Sequence, residues 1–162
     1  MFDAEIQAAG IRYNVPVAWI RAVIETESAW KPGAYRAEPQ INDASYGLMQ
    51  LLYRTAQGLG YTGTTEGLYS PAINIDLGTK LLGDLRKRYG DDFRRIYSAY
   101  NSGRPDLWET SKQVAANVAR AIDNLAKWVT VEATELTASP ATGPLAGLLI
   151  LILLWAWFGK RR

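Results

Sequence analysis

The chain contains no cysteine and no histidine. Those two absences remove several mechanisms at once, because thiol nucleophiles, disulfide staples, Ser-His-Asp triads and the usual zinc sites need one or the other. Any catalysis must come from carboxylates, Tyr, Lys, Ser or a borrowed cofactor. A basic body is missing too. The formal charge is +2, but Lys160, Arg161 and Arg162 close the chain with three positive charges, so the rest carries 2 − 3 = −1 and offers nucleic acid no positive surface. No segment alternates polar and apolar residues for long, which argues against a strand-based fold. The opening residues, MFDAEIQAAGIRYN, hold no basic stretch followed by an apolar one, and do not read as a secretory signal.

What is present is apolar residues in helical rhythm. With 48% hydrophobic and 21% charged residues over 162 positions, the composition suits one domain with a real core. Helices are expected over 3–13, from Pro16 to about Ser28, from Gly47 to the GLG at 58–60, from Ser70-Pro71 to Gly90, from an Asp91 or Asp92 cap through Tyr100, and from Ser111 to Trp128. The last of these places Val114, Val118, Ile122 and Leu125 on one face. The stretch EPQINDAS at 38–45 reads as a loop, and TVEATELTASPATG at 130–143 as a linker. From Pro144, PLAGLLILILLWAWFG is uncharged and is followed by KRR. That run lies near the short end of the roughly 17–25 residues a spanning helix needs. Trp155 and Trp157 sit near its basic end, as in an interfacial belt. Residues 144–162 are therefore expected to anchor the chain in a membrane, the alternatives being a buried C-terminal helix or an oligomerisation segment.

One carboxylate is out of pattern. In AVIETESAW, residues 22–30, a helix puts Ile20, Val23 and Ile24 on one stripe and drops Glu27 onto it, while Glu25 points elsewhere, four residues after Arg21, at a spacing suited to a solvent-exposed ion pair. A carboxyl in apolar surroundings resists ionisation, so its pKa rises and it stays protonated nearer neutral pH. Such an acid at the edge of a cleft is what glycosidic cleavage requires. The same pattern also fits a glutamate near a helix end that bends toward water or caps a neighbouring loop.

Four segments occur in order around it: ETESAW, SYGLMQLLYRTA, SPAINIDLGTKLL and IYSAYNSG. Over roughly residues 5–125 the chain resembles the lytic transglycosylase domain of the soluble lytic transglycosylase type, glycoside hydrolase family 23, related in fold to goose-type lysozyme. The resemblance implies an all-α, lysozyme-like helical domain at 1–129; the linker expected at 130–143 and the single transmembrane helix expected at 144–162 rest on the residue pattern above. It implies Glu27 as the catalytic acid with Ser28 as its partner, Gln50 lining the saccharide cleft, and the Tyr100 phenol near the reacting sugar beside Asn101. Gly47, Leu48 and Met49 complete the second motif, with Leu48 and Met49 expected in the core, and Asn74 is expected to fix a helix against the site. There are departures. Leu52 and Tyr53 stand where the family often has Met and Pro, leaving Leu52 to cover a sugar face; the loop from Lys31 to Ser45 looks longer than in many members; and Asn117-Val118 replaces a frequent Tyr-Val.

The chemistry implied by this resemblance uses one carboxylate, no metal and no organic cofactor. The N-acetyl group of muramic acid assists departure of the neighbouring sugar as Glu27 protonates the glycosidic oxygen; the carboxylate then takes the C6 hydroxyl proton and a 1,6-anhydro ring closes. Entry of water instead gives a lysozyme, for which Asp43 is the nearby candidate second carboxylate. An inactive, membrane-tethered peptidoglycan-binding module is a further alternative. The expected partners are peptidoglycan glycan strands and, through the tail, a membrane, with no nucleic acid. A substrate outside the cytoplasm, a C-terminal span with a basic end and no leading signal point to a phage-type enzyme, in the virion membrane or the host inner membrane, with the catalytic domain facing peptidoglycan.

Overall fold

The computed structural model describes residues 1–138. Its elements are α1 (Asp3–Tyr13), α2 (Val17–Ser28), β1 (Tyr35–Glu38), β2 (Asp43–Tyr46), β3 (Leu51–Leu52), α3 (Tyr53–Gly58), α4 (Pro71–Tyr89), α5 (Phe93–Ser102) and α6 (Lys112–Ala138), with 3-10 turns at Pro39–Ile41, Thr65–Tyr69 and Leu107–Glu109. The helix starts follow their punctuation. Pro71 occupies the first turn of α4 and Gly90 closes it. Asp92 caps α5, its carboxylate accepting from the Arg94 and Arg95 backbone N–H groups at 3.0 and 3.2 Å.

The fold is mostly helical but not all-α. A three-stranded antiparallel sheet, in the order β1-β2-β3, lies between α2 and α3, with Arg36 opposite Ser45, Glu38 opposite Asp43 and Ser45 opposite Leu52. It occupies the segment read as loop at 38–45. The strands are short, and most of β1 is exposed on both faces, so no alternation marks them. The helix expected from Gly47 starts only at Tyr53. Gly47 and Gln50 both have left-handed backbone, with φ of 74° and 47°, which turns the chain into β3 instead. Gly47 has a second reason to be glycine: a Cβ there would collide with the Asn74 amide and the Leu68 carbonyl.

The chain divides into a body, Met1–Leu125, and a C-terminal unit from Ala126 onward. Within the body, Ile6 of α1, Ile20, Val23 and Ile24 of α2, Leu48 and Met49, Ile75 and Leu82 of α4, and Ile96 of α5 are fully buried. α6 buries Val114, Val118, Ala121 and Leu125, with Ile122 half-buried, close to the expected face. The same helix runs on to Ala138, so residues 130–138 of the expected linker are helical. Arg21 is not a surface residue. It is 6% exposed, and its guanidinium donates to Asp3 Oδ1 at 3.0 Å, tying α2 to the start of α1. Among the described residues no helix is long and apolar enough to cross a membrane, and the expected span at 144–162 lies outside them.

Candidate active site

A cleft of about 750 Å³ opens in the body. Glu27, from the last turn of α2, lines it together with Arg36 and Glu38 of β1, Gln50, Leu52, and Tyr100 and Asn101 of α5. Left-handed backbone at Ala29 and Trp30, with φ of 49° and 65°, ends α2 immediately after the acid and swings the chain away toward the sheet.

Glu27 is half-buried, with one oxygen engaged. Tyr97 Oη donates to its Oε1 at 2.7 Å; no other side chain or backbone group among the described residues hydrogen-bonds the carboxyl. Burial pushes the Glu27 carboxyl above its ordinary value, against the lowering pull of the Tyr97 hydrogen bond and of the Arg36 and Arg120 charges; Glu38 pushes it further up. Burial and the neighbouring Glu27 charge also raise the Tyr97 phenol far above its ordinary range, so Tyr97 is a permanent donor at any working pH.

Tyr97 escaped the sequence reading. Its 1% exposure and its place in the apolar face of α5 make it look like core. The available signal was its spacing three residues before Tyr100 in IYSAYNSG, which puts both rings on one face. They stack with centroids 6.3 Å apart and planes 12° off parallel, and Phe93 extends the stack behind Tyr97 at 6.1 Å. The Tyr100 ring lines the cleft, but its phenol donates to the Met49 carbonyl at 2.7 Å, bracing the turn that carries Gln50.

That turn is held from below. Asn74 is fully buried in α4; its Oδ1 accepts from the Met49 N–H at 2.7 Å, and its Nδ2 donates to the Tyr46 and Leu68 carbonyls, each at 2.8 Å. Asn74 is thus structural, as expected, and Leu48 and Met49 are core. Gln50 spends its Nε2 on the Gly47 and Ala34 carbonyls, at 3.0 and 3.2 Å, leaving its carbonyl oxygen for the cleft. A left-handed non-glycine residue costs about 1–3 kcal/mol and persists where its surroundings over-determine it, as this set of bonds does.

Ser28 follows the acid in sequence but turns away. Its hydroxyl donates to the Ile24 carbonyl at 3.1 Å, it is 8% exposed, and it does not line the cleft. Asp43 also lies outside the cleft lining. It accepts from the Ala44 and Arg54 backbone N–H groups at 2.8 and 3.2 Å and from Arg54 Nε at 3.0 Å. Burial pushes its carboxyl up, but these bonds outweigh it and hold the group below its ordinary value. The second carboxylate in the cleft is instead Glu38, which pairs with Arg36 Nε at 2.6 Å. Among the described residues no cluster of three or more acidic side chains could hold a metal ion. A second hollow lies between α1, α4 and the turn at 59–63; in it Arg12 and Tyr13 engage Asp76, and Lys80 donates to the Leu59 carbonyl at 2.7 Å.

Comparison with known proteins bears on this geometry. The family model described as the transglycosylase SLT domain matches residues 4–122. A membrane-bound lytic murein transglycosylase C of Glaesserella parasuis is 37% identical over 106 residues, covering 57% of this chain and 28% of its own length. Its namesake in Shigella sonnei is 32% identical over 130 residues, covering 70% of this chain and 35% of itself. Among solved structures, the 70 kDa soluble lytic transglycosylase of Escherichia coli overlays 81% of this chain and 24% of its own with a TM-score of 0.71 at 20% identity, a likeness of fold alone. The chain thus spans about a third, or less, of the length of these relatives. The family match begins in the first turn of α1, ends on the buried half of α6 and takes in every wall of the cleft, and on that extent the chain belongs to the transglycosylase SLT domain family.

Proposed function

We propose that the body cleaves the β-1,4 bond between N-acetylmuramic acid and N-acetylglucosamine in peptidoglycan, as a lytic transglycosylase with Glu27 as acid and then base. The observation that carries this reading is the state of Glu27: a carboxyl raised by burial, pinned through Oε1 by Tyr97, with Oε2 unclaimed among the described residues. A proton on Oε2 passes to the glycosidic oxygen as the bond to the muramic C1 breaks, while the acetamido oxygen of that sugar supports the developing positive charge. The resulting carboxylate then removes the C6 hydroxyl proton, and O6 closes on C1 to give the 1,6-anhydro end. Glu27 returns to its acid form, so no cofactor enters the balance. Gln50, Leu52, Tyr100 and Asn101 bind the glycan in this reading, with Ser28 closing the helix that presents the acid.

A second outcome is favoured by one observation. Glu38 gives the cleft another carboxylate, and a carboxylate able to activate water would make the enzyme a hydrolytic muramidase. Its engagement supports the lyase reading, because Glu38 Oε1 is already taken by Arg36 Nε at 2.6 Å and faces the Ser45 hydroxyl at 3.5 Å.

Digestion of murein sacculi followed by mass spectrometry of the soluble fragments tests both. The expected result is anhydromuramic ends without new reducing ends, and less than about 1% of that activity in Glu27→Gln, since losing a general acid costs about 10²–10⁴-fold. Full activity in Glu27→Gln would remove the assignment, and reducing ends equal to the bonds broken would establish hydrolysis. The membrane anchor at 144–162 completes the proposal, supported by its uncharged run, flanking Trp155 and Trp157 and basic end. It tethers the body on the peptidoglycan side of a virion membrane or host inner membrane, for phage entry or host lysis.

A further inference from the structure

The wall of the cleft formed by α5 and α6 carries a chain of side-chain amides. Gln113 Nε2 donates to Asn117 Oδ1 at 3.3 Å, Arg120 Nη2 donates to the same oxygen at 2.8 Å, and Asn117 Nδ2 donates to Asn101 Oδ1 at 3.2 Å. Asn101, Gln113 and Asn117 line the same cleft as Glu27. The donor inventory fixes which way each amide is turned. A guanidinium has no acceptor, so the Asn117 atom that faces Arg120 must be its oxygen. Asn117 therefore turns its NH2 toward Asn101, and the atom that receives it must again be oxygen. Asn101 keeps both of its own amide protons, and no acceptor among the described residues takes them.

We propose that Asn117 is a positioning residue of the glycan site: held by Arg120, it sets the Asn101 amide so that its NH2 is offered to an acceptor oxygen of the bound glycan, a sugar hydroxyl or an acetamido carbonyl. This rests on the peptidoglycan-cleaving reading above. Without the anchor the Asn101 amide has no reason to prefer one orientation, and half of its orientations would present a carbonyl where the substrate also presents oxygen. The effect is read in binding with Glu27 replaced, because the Arg120 that holds Asn117 also acts on Glu27 through its charge. Glu27 is reached by its own set of neighbours, Tyr97 and Tyr100 from α5, Arg36 and Glu38 from β1 and the Arg120 charge from α6, and Asn101 is not among them.

Asn117→Asp separates the two ends of the relay. It keeps an oxygen for Arg120 and Gln113 but has no proton for Asn101, whose NH2 must then rotate toward the new carboxylate and turn its carbonyl to the cleft. The test is a double-mutant cycle with Asn101→Ala on the full chain in detergent, reading KM on murein sacculi and, in a Glu27→Gln background, sedimentation with intact sacculi. Each single variant is expected to weaken binding about tenfold, as the loss of one well-placed hydrogen bond does. The double variant is expected to be no weaker than Asn101→Ala alone. Losses that multiply across the cycle would overturn the relay, as would an Asn117→Asp protein that is folded by circular dichroism and binds like its parent. A wild-type protein that solubilises no sacculi would overturn the functional reading and the relay together, so the two failures are told apart.

Discussion

Tyr97→Phe removes one oxygen atom from the site and leaves the ring stack intact, so it isolates the hydrogen bond to Glu27. A hydrogen bond to an ionised carboxylate contributes about 1.5–3 kcal/mol and one to its neutral form about 0.5–1.5 kcal/mol. The bond at 2.7 Å therefore favours the ionised form by about 1–1.5 kcal/mol, or about one pKa unit. In the proposed mechanism Glu27 works as the acid, so activity should fall as pH rises through its folded-state pKa. Burial raises that pKa and the Tyr97 bond lowers it, so deleting the phenol must raise it again. In initial rates of sacculi clearing across the pH range, the alkaline limb of Tyr97→Phe should lie about one unit above that of wild type. The plateau rate should fall about fivefold to tenfold, because Oε1 is no longer held and the acid loses its orientation. The two profiles should cross or converge at high pH, where the variant keeps more of its acid form. An alkaline limb that is unmoved or displaced to lower pH, with the rate reduced, would refute the claim that Tyr97 stabilises the carboxylate form.

Asn74→Ala leaves the Met49 N–H and the Tyr46 and Leu68 carbonyls without their buried partner, and should lower stability by about 3–4 kcal/mol in urea unfolding. Glu27→Gln should gain thermal stability over wild type above neutral pH and lose that advantage in acid, because a group whose folded pKa is raised contributes stability below its unfolded value and loses it as pH rises through the folded one; melting curves at both ends of the range check the sign. Deleting 144–162 should release the protein from liposomes in a flotation assay while sacculi clearing persists, since Glu27, Gln50 and Tyr100 all lie in the body.

Much of the helical frame is legible from capping chemistry, since Pro71, Asp92 and Gly90 announce their positions locally. The burial of Glu27 is legible because a carboxylate breaks an apolar stripe; the role expected of it comes from the resemblance, since the stripe alone fits a helix-end glutamate equally well. The sheet is not legible, because strands as short as Leu51–Leu52 and as exposed as β1 depend on their neighbours for identity. The same holds for Glu38: a loop-like segment gives it no face, whereas β1 turns it into the cleft beside Arg36. Asp43 is the nearby candidate second carboxylate by sequence, but Arg54, a partner that only the folding of β2 against α3 supplies, holds it outside the cleft lining. Gln50 was found through the resemblance alone; nothing in local propensity foretells a left-handed glutamine. Tyr97 shows the opposite limit, a residue whose pattern is correct for the core and whose single polar atom carries its consequence.

The Asn74 amide also has a kinetic meaning. One side chain closes bonds to the end of β2, to the 3-10 turn at Thr65–Tyr69 and to the Met49 N–H, so the floor of the cleft cannot open without breaking its hold on α4. Amide deuteration makes that visible. The Met49 proton should exchange only with global unfolding, on the slowest time base in the molecule. The solvent-exposed backbone of β1 should exchange through local fraying, orders of magnitude sooner. If the proposed function holds, a glycan strand would meet a floor pinned by Asn74 and a wall, β1, tied by fewer buried bonds, so adjustment to different strands is expected on the β1 side.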